Sequence, residues 1–284
     1  MSDVPPPIAE LDTDFVPRVI ALDVDGTLID DELRLHPRTR AAVRAATTRL
    51  PVIIATGRMY RSVLPWAREL QITQPLVCYQ GAVVRELPSN GSAGEVIFES
   101  GLDSSVSVQV VETARAHGWH VQAYVDDKLF CEQDRPEAHL YSRIAQVAIN
   151  FVDDLVALVA NGSTKVVCVS RDPMVVDECV TTLRRQLGTR ARVTRSMKEF
   201  IEVVSPGVNK ARAVELVCTR MGLSVADLLA VGDAPNDAEM LAAAGVGVAI
   251  RSARPEVLAM ADATCANPEA AGVADVLERF GLAG

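Results

Sequence analysis

The chain has 284 residues, 49% of them hydrophobic and 23% charged, which is enough for a sizeable core and for two domains. A formal net charge of -9 favours solubility and excludes the basic excess that a non-specific nucleic-acid or anionic-membrane surface needs. Any negatively charged substrate must therefore be met by local positive charge.

The opening stretch, "MSDVPPPIAELDTDFVPR", carries prolines and acids where a secretory signal needs basic and then apolar residues. Residues 1–17 are read as a loose leader of a cytoplasmic chain. No apolar run approaches the length of a membrane span. From there short apolar runs alternate with helical patterns: "RVIAL", a helix from about His36 to Arg49, "PVIIA", a helix from about Met59 to Leu70, then "PLVCY". Between about Arg85 and Ser205 strand-like runs come closer together. "QAYVDD" and "KLFCE" suit a hairpin, "KVVCVS" precedes a helix from about Pro173 to Leu187, and "FIEVVS" follows. "LPSNGSAGE" is a turn-rich loop inside this stretch. Alternation then resumes with "DLLAVGD", "NDAEMLAAAG", "VGVAI" and "RPEVLAMAD". Strands that take turns with helices imply crossover connections and a parallel sheet. The expected fold is α/β, a Rossmann-like parallel-sheet core (residues 18–84 and 206–284) with an inserted α+β cap domain (residues 85–205).

The chemistry begins where "VIALDVDGTLID" interrupts its apolar run with Asp23 and Asp25. In an open parallel sheet the ligand crevice lies beyond the carboxyl ends of the strands, which is where Asp23 falls. Two such acids can hold a hard cation such as magnesium, and one can attack an electrophile while the other handles a proton. The competing reading of "DGT" is an ordinary turn. Three more segments follow core strands. Thr56-Gly57-Arg58 offers a hydroxyl and backbone N–H groups to a phosphoryl oxygen, or is an N-cap with a glycine. Lys210 opens a helix, where the macrodipole disfavours a cation, so an anion close by would explain it; the alternative is a solvated lysine. "AVGDAPND" sets Asp233 at a strand end, with Asn236 and Asp237 opening a helix, or simply capping it. The cysteines at 78, 131, 168, 179, 218 and 265 lack metal-site spacing and read as buried thiols.

These four segments, in this order, resemble the haloacid dehalogenase-like phosphatases, and the long insert resembles the Cof-type branch with a large α/β cap. The resemblance spans residues 18 to 280 and includes "ATGR", "GAVV", "GVNKARAVE", "VGDAPNDAEML" and "NPEAAGVADVLERF". It implies that Asp23 is the nucleophile, forming an aspartyl-phosphate, and that Asp25 is the general acid and base. Thr56, Gly57, Lys210 and Asn236 would bind the phosphoryl oxygens. Magnesium would be held by Asp23, the Asp25 carbonyl and Asp233, with Asp237 in support.

Gln80, Ala234-Pro235 and Arg251-Ser252 depart from the family pattern around the cleft. The implied activity is magnesium-dependent hydrolysis of small organic phosphomonoesters, with a phosphorylated metabolite as the partner and no nucleic acid or membrane. A phosphosugar mutase of the phosphomannomutase type and a non-catalytic phosphate sensor are the alternatives. A mutase cap needs a second phosphate-binding cluster. The cap cations here, Lys165 and Arg195 among them, are spread among acids.

Overall fold

The computed structural model describes residues 4–89 and 94–283, without the Ser196 side chain, so part of the turn-rich loop at 87–95 lies outside the described residues. In chain order the elements are β1 (Val19–Leu22), α1 (Pro37–Thr47), β2 (Val52–Ile54), α2 (Tyr60–Glu69), β3 (Leu76–Cys78), β4 (Val83–Arg85) and β5 (Val96–Glu99). Then come α3 (Ser104–His117), β6 (His120–Val125), β7 (Lys128–Cys131), α4 (Pro136–Ala145), β8 (Ile149–Phe151), α5 (Leu155–Val159), β9 (Lys165–Val169), α6 (Pro173–Leu187), β10 (Arg192–Met197) and β11 (Phe200–Val204). The chain closes with α7 (Lys210–Arg220), β12 (Leu228–Gly232), α8 (Ala238–Ala243), β13 (Val246–Ile250), α9 (Pro255–Leu258), β14 (Ala263–Cys265) and α10 (Gly272–Arg279).

The chain divides into two compact units. The first takes in Met1–Thr56, Leu64–Ile97 and Asn209–Gly284; the second takes in Gly57–Val63 and Phe98–Val208. In the first, five parallel strands run in the order β14-β13-β12-β1-β2. Every residue of β1, β2, β12 and β13 is buried. Covering both faces of a parallel sheet is what requires such unbroken apolar runs. Val19, Ala21, Ile53 and Ala230 form one core cluster with Val214, Val217 and Cys218 of α7.

Two boundaries differ from expectation. The described residues from Pro7 to Phe15 are not loose: Pro7 bridges to Thr264, Ile8 is buried, and Phe15 meets Phe280 edge-on at 6.0 Å. Burial of Ile8 and the ring contact of half-buried Phe15 are what tie the segment down. Residues 85–97 stay with the first unit, because β4 pairs antiparallel with β3 and Val84 joins the same core cluster. Conversely, Gly57–Val63 groups with the second unit, for reasons that lie in its hydrogen bonds.

The second unit is a six-stranded sheet, β10-β11-β9-β6-β7-β8, antiparallel except for the β7–β8 pair. Alternation sorts its two faces. Val121, Ala123, Val166, Cys168, Ile201 and Val203 pack on Val110, Leu155, Val176 and Leu183 of α3, α5 and α6. The intervening positions carry Gln122, Tyr124, Lys165 and Glu202, all buried. The β6–β7 hairpin turns through Asp126 (φ 50°) and Asp127 (φ 54°), the left-handed pair that a two-residue turn requires. All six cysteines are buried thiols. Among the described residues no helix is long and apolar enough to cross a membrane.

Candidate active site

Asp23, Thr56 and Asp233 each stand just past the carboxyl end of a strand, and the three strands β1, β2 and β12 are neighbours. The Asp23 N–H donates to the Val231 carbonyl at 3.1 Å, which holds the residue in line with the sheet. The chain then folds sharply. The Val24 carbonyl accepts from the N–H groups of Leu28 (2.9 Å) and Ile29 (3.0 Å), and Gly26 takes φ 78°. Asp25 is half-buried in this turn, bridged to Ile29. The turn reading of "DGT" therefore holds, and the same turn carries the two acids.

Lys210 is the centre of the cluster. It is the first residue of α7, whose N-cap Asn209 accepts from the Arg212 N–H at 2.8 Å. Its side chain is 1% exposed, and its Nζ donates to Asp23 Oδ1 and to Asp237 Oδ1, both at 2.6 Å. The anion expected beside a cation at a helix start is thus a pair of carboxylates. Asp237 spends its other oxygen on the N–H groups of Asp233 (3.1 Å) and Ala234 (3.0 Å), so it fixes the turn that carries Asp233. Thr27 Oγ1 donates to Asp233 Oδ1 at 3.0 Å. This second anchor for Asp233 was not anticipated from sequence, although Thr27 sits in the same short motif.

One oxygen from each of Asp23, Asp233 and Asp237 lies within 4.8 Å of the others, an arrangement that can hold a metal ion; the Asp25 carboxylate is outside this trio. Electrostatics states the same point. Burial first, then repulsion from Asp237, pushes the Asp23 carboxyl up to about 7 against the opposing pull of Lys210. Burial and the charge of Asp23 push Asp233 well above its ordinary range. Burial works against the Lys210 ammonium, but attraction to Asp23 and Asp237 wins and its pKa is raised. Three carboxylates share one ammonium, so the buried cluster is left about two charges too negative when all are ionised. A divalent cation with oxygen ligands is what balances that donor set.

Thr56 is buried, its N–H bonded to Val77 O at 2.9 Å and its carbonyl to the Gln80 N–H at 3.1 Å. Asn236 Nδ2 donates to Gln80 Oε1 at 2.7 Å. Gln80, noted only as a departure from a family pattern, therefore contacts two of the phosphate-binding candidates, Thr56 and Asn236. It does so with φ 62°, next to Tyr79 at φ 53° and Gly81 at φ 96°. Gly57 is half-buried, one peptide bond beyond Thr56. The remaining departures, Ala234-Pro235, lie in the turn that Asp237 holds.

A parallel α/β core interrupted by a separate α+β unit, with three acids and one lysine clustered at its strand ends, defines a hydrolase class. The haloacid dehalogenase-like hydrolase family matches residues 20–277, and the chain belongs to that family, in its Cof-type branch, as a phosphoric monoester hydrolase. It is 30% identical over 274 residues to a 5-amino-6-(5-phospho-D-ribitylamino)uracil phosphatase of Bacillus subtilis, covering 93% of this chain and 97% of that one. It is also 26% identical over 275 residues to a chloroplastic endoribonuclease YBEY of Arabidopsis thaliana, but spans only 46% of that protein's length. Among solved structures, TM0651 from Thermotoga maritima superposes with a TM-score of 0.78 at 30% identity, over 93% of this chain and 97% of that one. The expected fold class and family are borne out.

Proposed function

We propose that the chain is a magnesium-dependent phosphatase of small organic phosphomonoesters, sugar phosphates or related metabolites, working through an aspartyl-phosphate. The observation that carries this is the buried Asp23–Lys210–Asp237 bridge beside Asp233, a set of charges that is out of balance until a cation joins it.

An Asp23 oxygen attacks phosphorus, and the bond from phosphorus to the substrate's ester oxygen breaks. Asp25, outside the carboxylate trio and half-buried, gives its proton to that leaving oxygen. It then takes a proton from water, which attacks the phosphorus of the aspartyl-phosphate and releases inorganic phosphate and the Asp23 carboxylate. Lys210, the Thr56 hydroxyl, the Gly57 N–H and the Asn236 amide hold the phosphoryl oxygens, where transition-state charge stays. Asp23, Asp233 and the Asp25 carbonyl, with Asp237 in support, would hold magnesium, which would supply positive charge that offsets repulsion between the carboxylate and the phosphate dianion.

Water rather than a second sugar phosphate is the acceptor in this reading. Several of the cap cations are engaged by protein groups: Lys165 with Glu202, Arg184 with the Val193 carbonyl, Arg195 with Asp177 and the Lys198 carbonyl. A relative that acts on a phosphorylated ribitylamino compound supports a small polyol-like phosphate as substrate class. The six buried thiols fit a reducing, cytoplasmic setting. The test is Asp23→Asn, assayed over a panel of phosphorylated metabolites with phosphorus NMR. The wild type should release inorganic phosphate only with magnesium and need no sugar bisphosphate, and the variant should be folded and inactive. Turnover by the folded variant would exclude Asp23 as nucleophile.

A further inference from the structure

The second unit buries an ion pair that the reading so far leaves unused. Lys165 on β9 is 0% exposed, and its Nζ donates to Glu202 Oε2 at 2.9 Å. The same ammonium lies 4.7 Å from the Tyr124 ring centre and 5.7 Å from that of Tyr141. Stability does not account for such a pair. Removing two charges from water costs several kcal/mol per ion, and replacing a buried pair with apolar side chains is often neutral or stabilising by about 1–4 kcal/mol. What an apolar side chain could not do is donate a hydrogen bond. Lys165 Nζ donates one, at 2.9 Å, to the carbonyl of Gly57.

That carbonyl has a defined position in the chemistry of the chain. A trans peptide group is planar, with its C=O and N–H on opposite edges, so whatever holds the oxygen also aims the next residue's N–H. The Thr56 carbonyl is held by the Gln80 N–H at 3.1 Å, which aims the Gly57 N–H. The Gly57 carbonyl is held by Lys165, which aims the Arg58 N–H. The rest of the segment is tied down as well: Arg58 donates to the Ile144 carbonyl at 3.0 Å, and the N–H groups of Tyr60 and Arg61 reach the Asp127 carboxylate at 3.0 and 3.1 Å. Two successive N–H groups follow the Thr56 hydroxyl in the chain, a run of donors of the kind that can receive phosphate oxygens.

We propose that Lys165, backed by Glu202, is a positioning residue for phosphoryl transfer, acting through the Gly57 carbonyl to aim the Arg58 N–H. The inference rests on the reading of Thr56 and Gly57 as phosphate ligands. Its function is directional, since a donor that is present but turned away from the developing charge contributes nothing to the transition state.

The decisive variant is the double replacement Lys165→Met with Glu202→Leu, which removes both charges and leaves no unpaired ion. Lys165→Met alone strands Glu202 in the interior and can lose the fold. With p-nitrophenyl phosphate and magnesium, the double variant should melt within a few degrees of wild type. Its kcat should fall about tenfold or more, with KM changed less than about twofold and inhibition by orthovanadate weakened by a similar factor to kcat, since the lost donor acts in the transition state. Wild-type kcat and vanadate inhibition in the folded double variant would overturn the inference. So would a double variant that does not fold, which would make the pair a structural necessity. Asp23→Asn serves as the separate control: activity there overturns the nucleophile assignment, whatever the double variant does.

Discussion

Gly26 has φ 78°, and a Cβ built on it would lie 2.4 Å from Asp233 Oδ2. The close approach is part of the site, because that carboxylate is also held by Thr27. Gly26→Ala forces a left-handed alanine, at about 1–2 kcal/mol, and displaces the Asp233 carboxylate as well. Magnesium affinity, read by calorimetry, should fall at least about tenfold, which is the loss of roughly 1.4 kcal/mol; unchanged affinity would show that Asp233 moves freely. Residues such as Asp23, Asp233 and Lys210 were legible in the sequence because each sets a charge where an apolar run or a helix start makes charge unfavourable. Gln80, Thr27 and Lys165 were not. Their types are ordinary for turns and surfaces, and only the fold shows that Gln80 meets Asn236, Thr27 meets Asp233 and Lys165 is buried.

At the scale of elements, the start of α2 is held by an acid from another element. Asp127, from the β6–β7 turn, accepts from the N–H groups of Tyr60 and Arg61 and pairs with the Arg61 side chain at 3.0 Å. The acid thereby satisfies two of the helix's orphan donors and complements its positive end. Asp127→Ala should cost about 1 kcal/mol, the usual worth of an N-cap, and speed hydrogen exchange at Tyr60 and Arg61, while Asp127→Asn should keep most of the protection. Exchange unchanged in the alanine variant would remove the cap. The hairpin expected from "QAYVDD" and "KLFCE" agrees with the left-handed pair at its turn; the reach to α2 joins positions 66 and 67 residues apart, which no local pattern encodes. The core strands were readable because both-face burial makes them uniformly apolar. β5 and β8, whose residues are half-buried or exposed, carried no such signal, and α3, α4 and α5 fell within a stretch read for its strands and for α6 alone among its helices.

For the whole molecule, the carboxylate cluster should couple stability to pH and, on the proposed function, to magnesium. Asp23 has its ordinary carboxyl value of 3.8 raised to about 7 by burial and by Asp237, so the folded chain holds a proton that the unfolded chain releases. Its contribution therefore weakens as pH rises from about 4 to about 7, the sign opposite to that of a salt-bridged surface acid. Asp233 shifts the same way. Without magnesium, this cluster should make the protein lose melting temperature between pH 5 and pH 8. Magnesium should restore more at pH 8, where protons no longer compete for the carboxylates. Equal magnesium stabilisation at the two pH values would contradict the placement of the ion among these acids.

The order of strands in the parallel sheet also has a consequence for synthesis. β1 is an interior strand, with the edge strand β2 on one side and β12 on the other, and Val19 pairs with Leu228. At roughly 5–20 residues per second, a ribosome needs on the order of 10–40 s to deliver β12 after β1 has been made. All six strands of the inserted sheet are delivered within that interval. The nascent chain must carry the unpartnered edge of a wholly apolar strand, Val19–Leu22, through the whole of it, so residues that later make the core need shielding during translation.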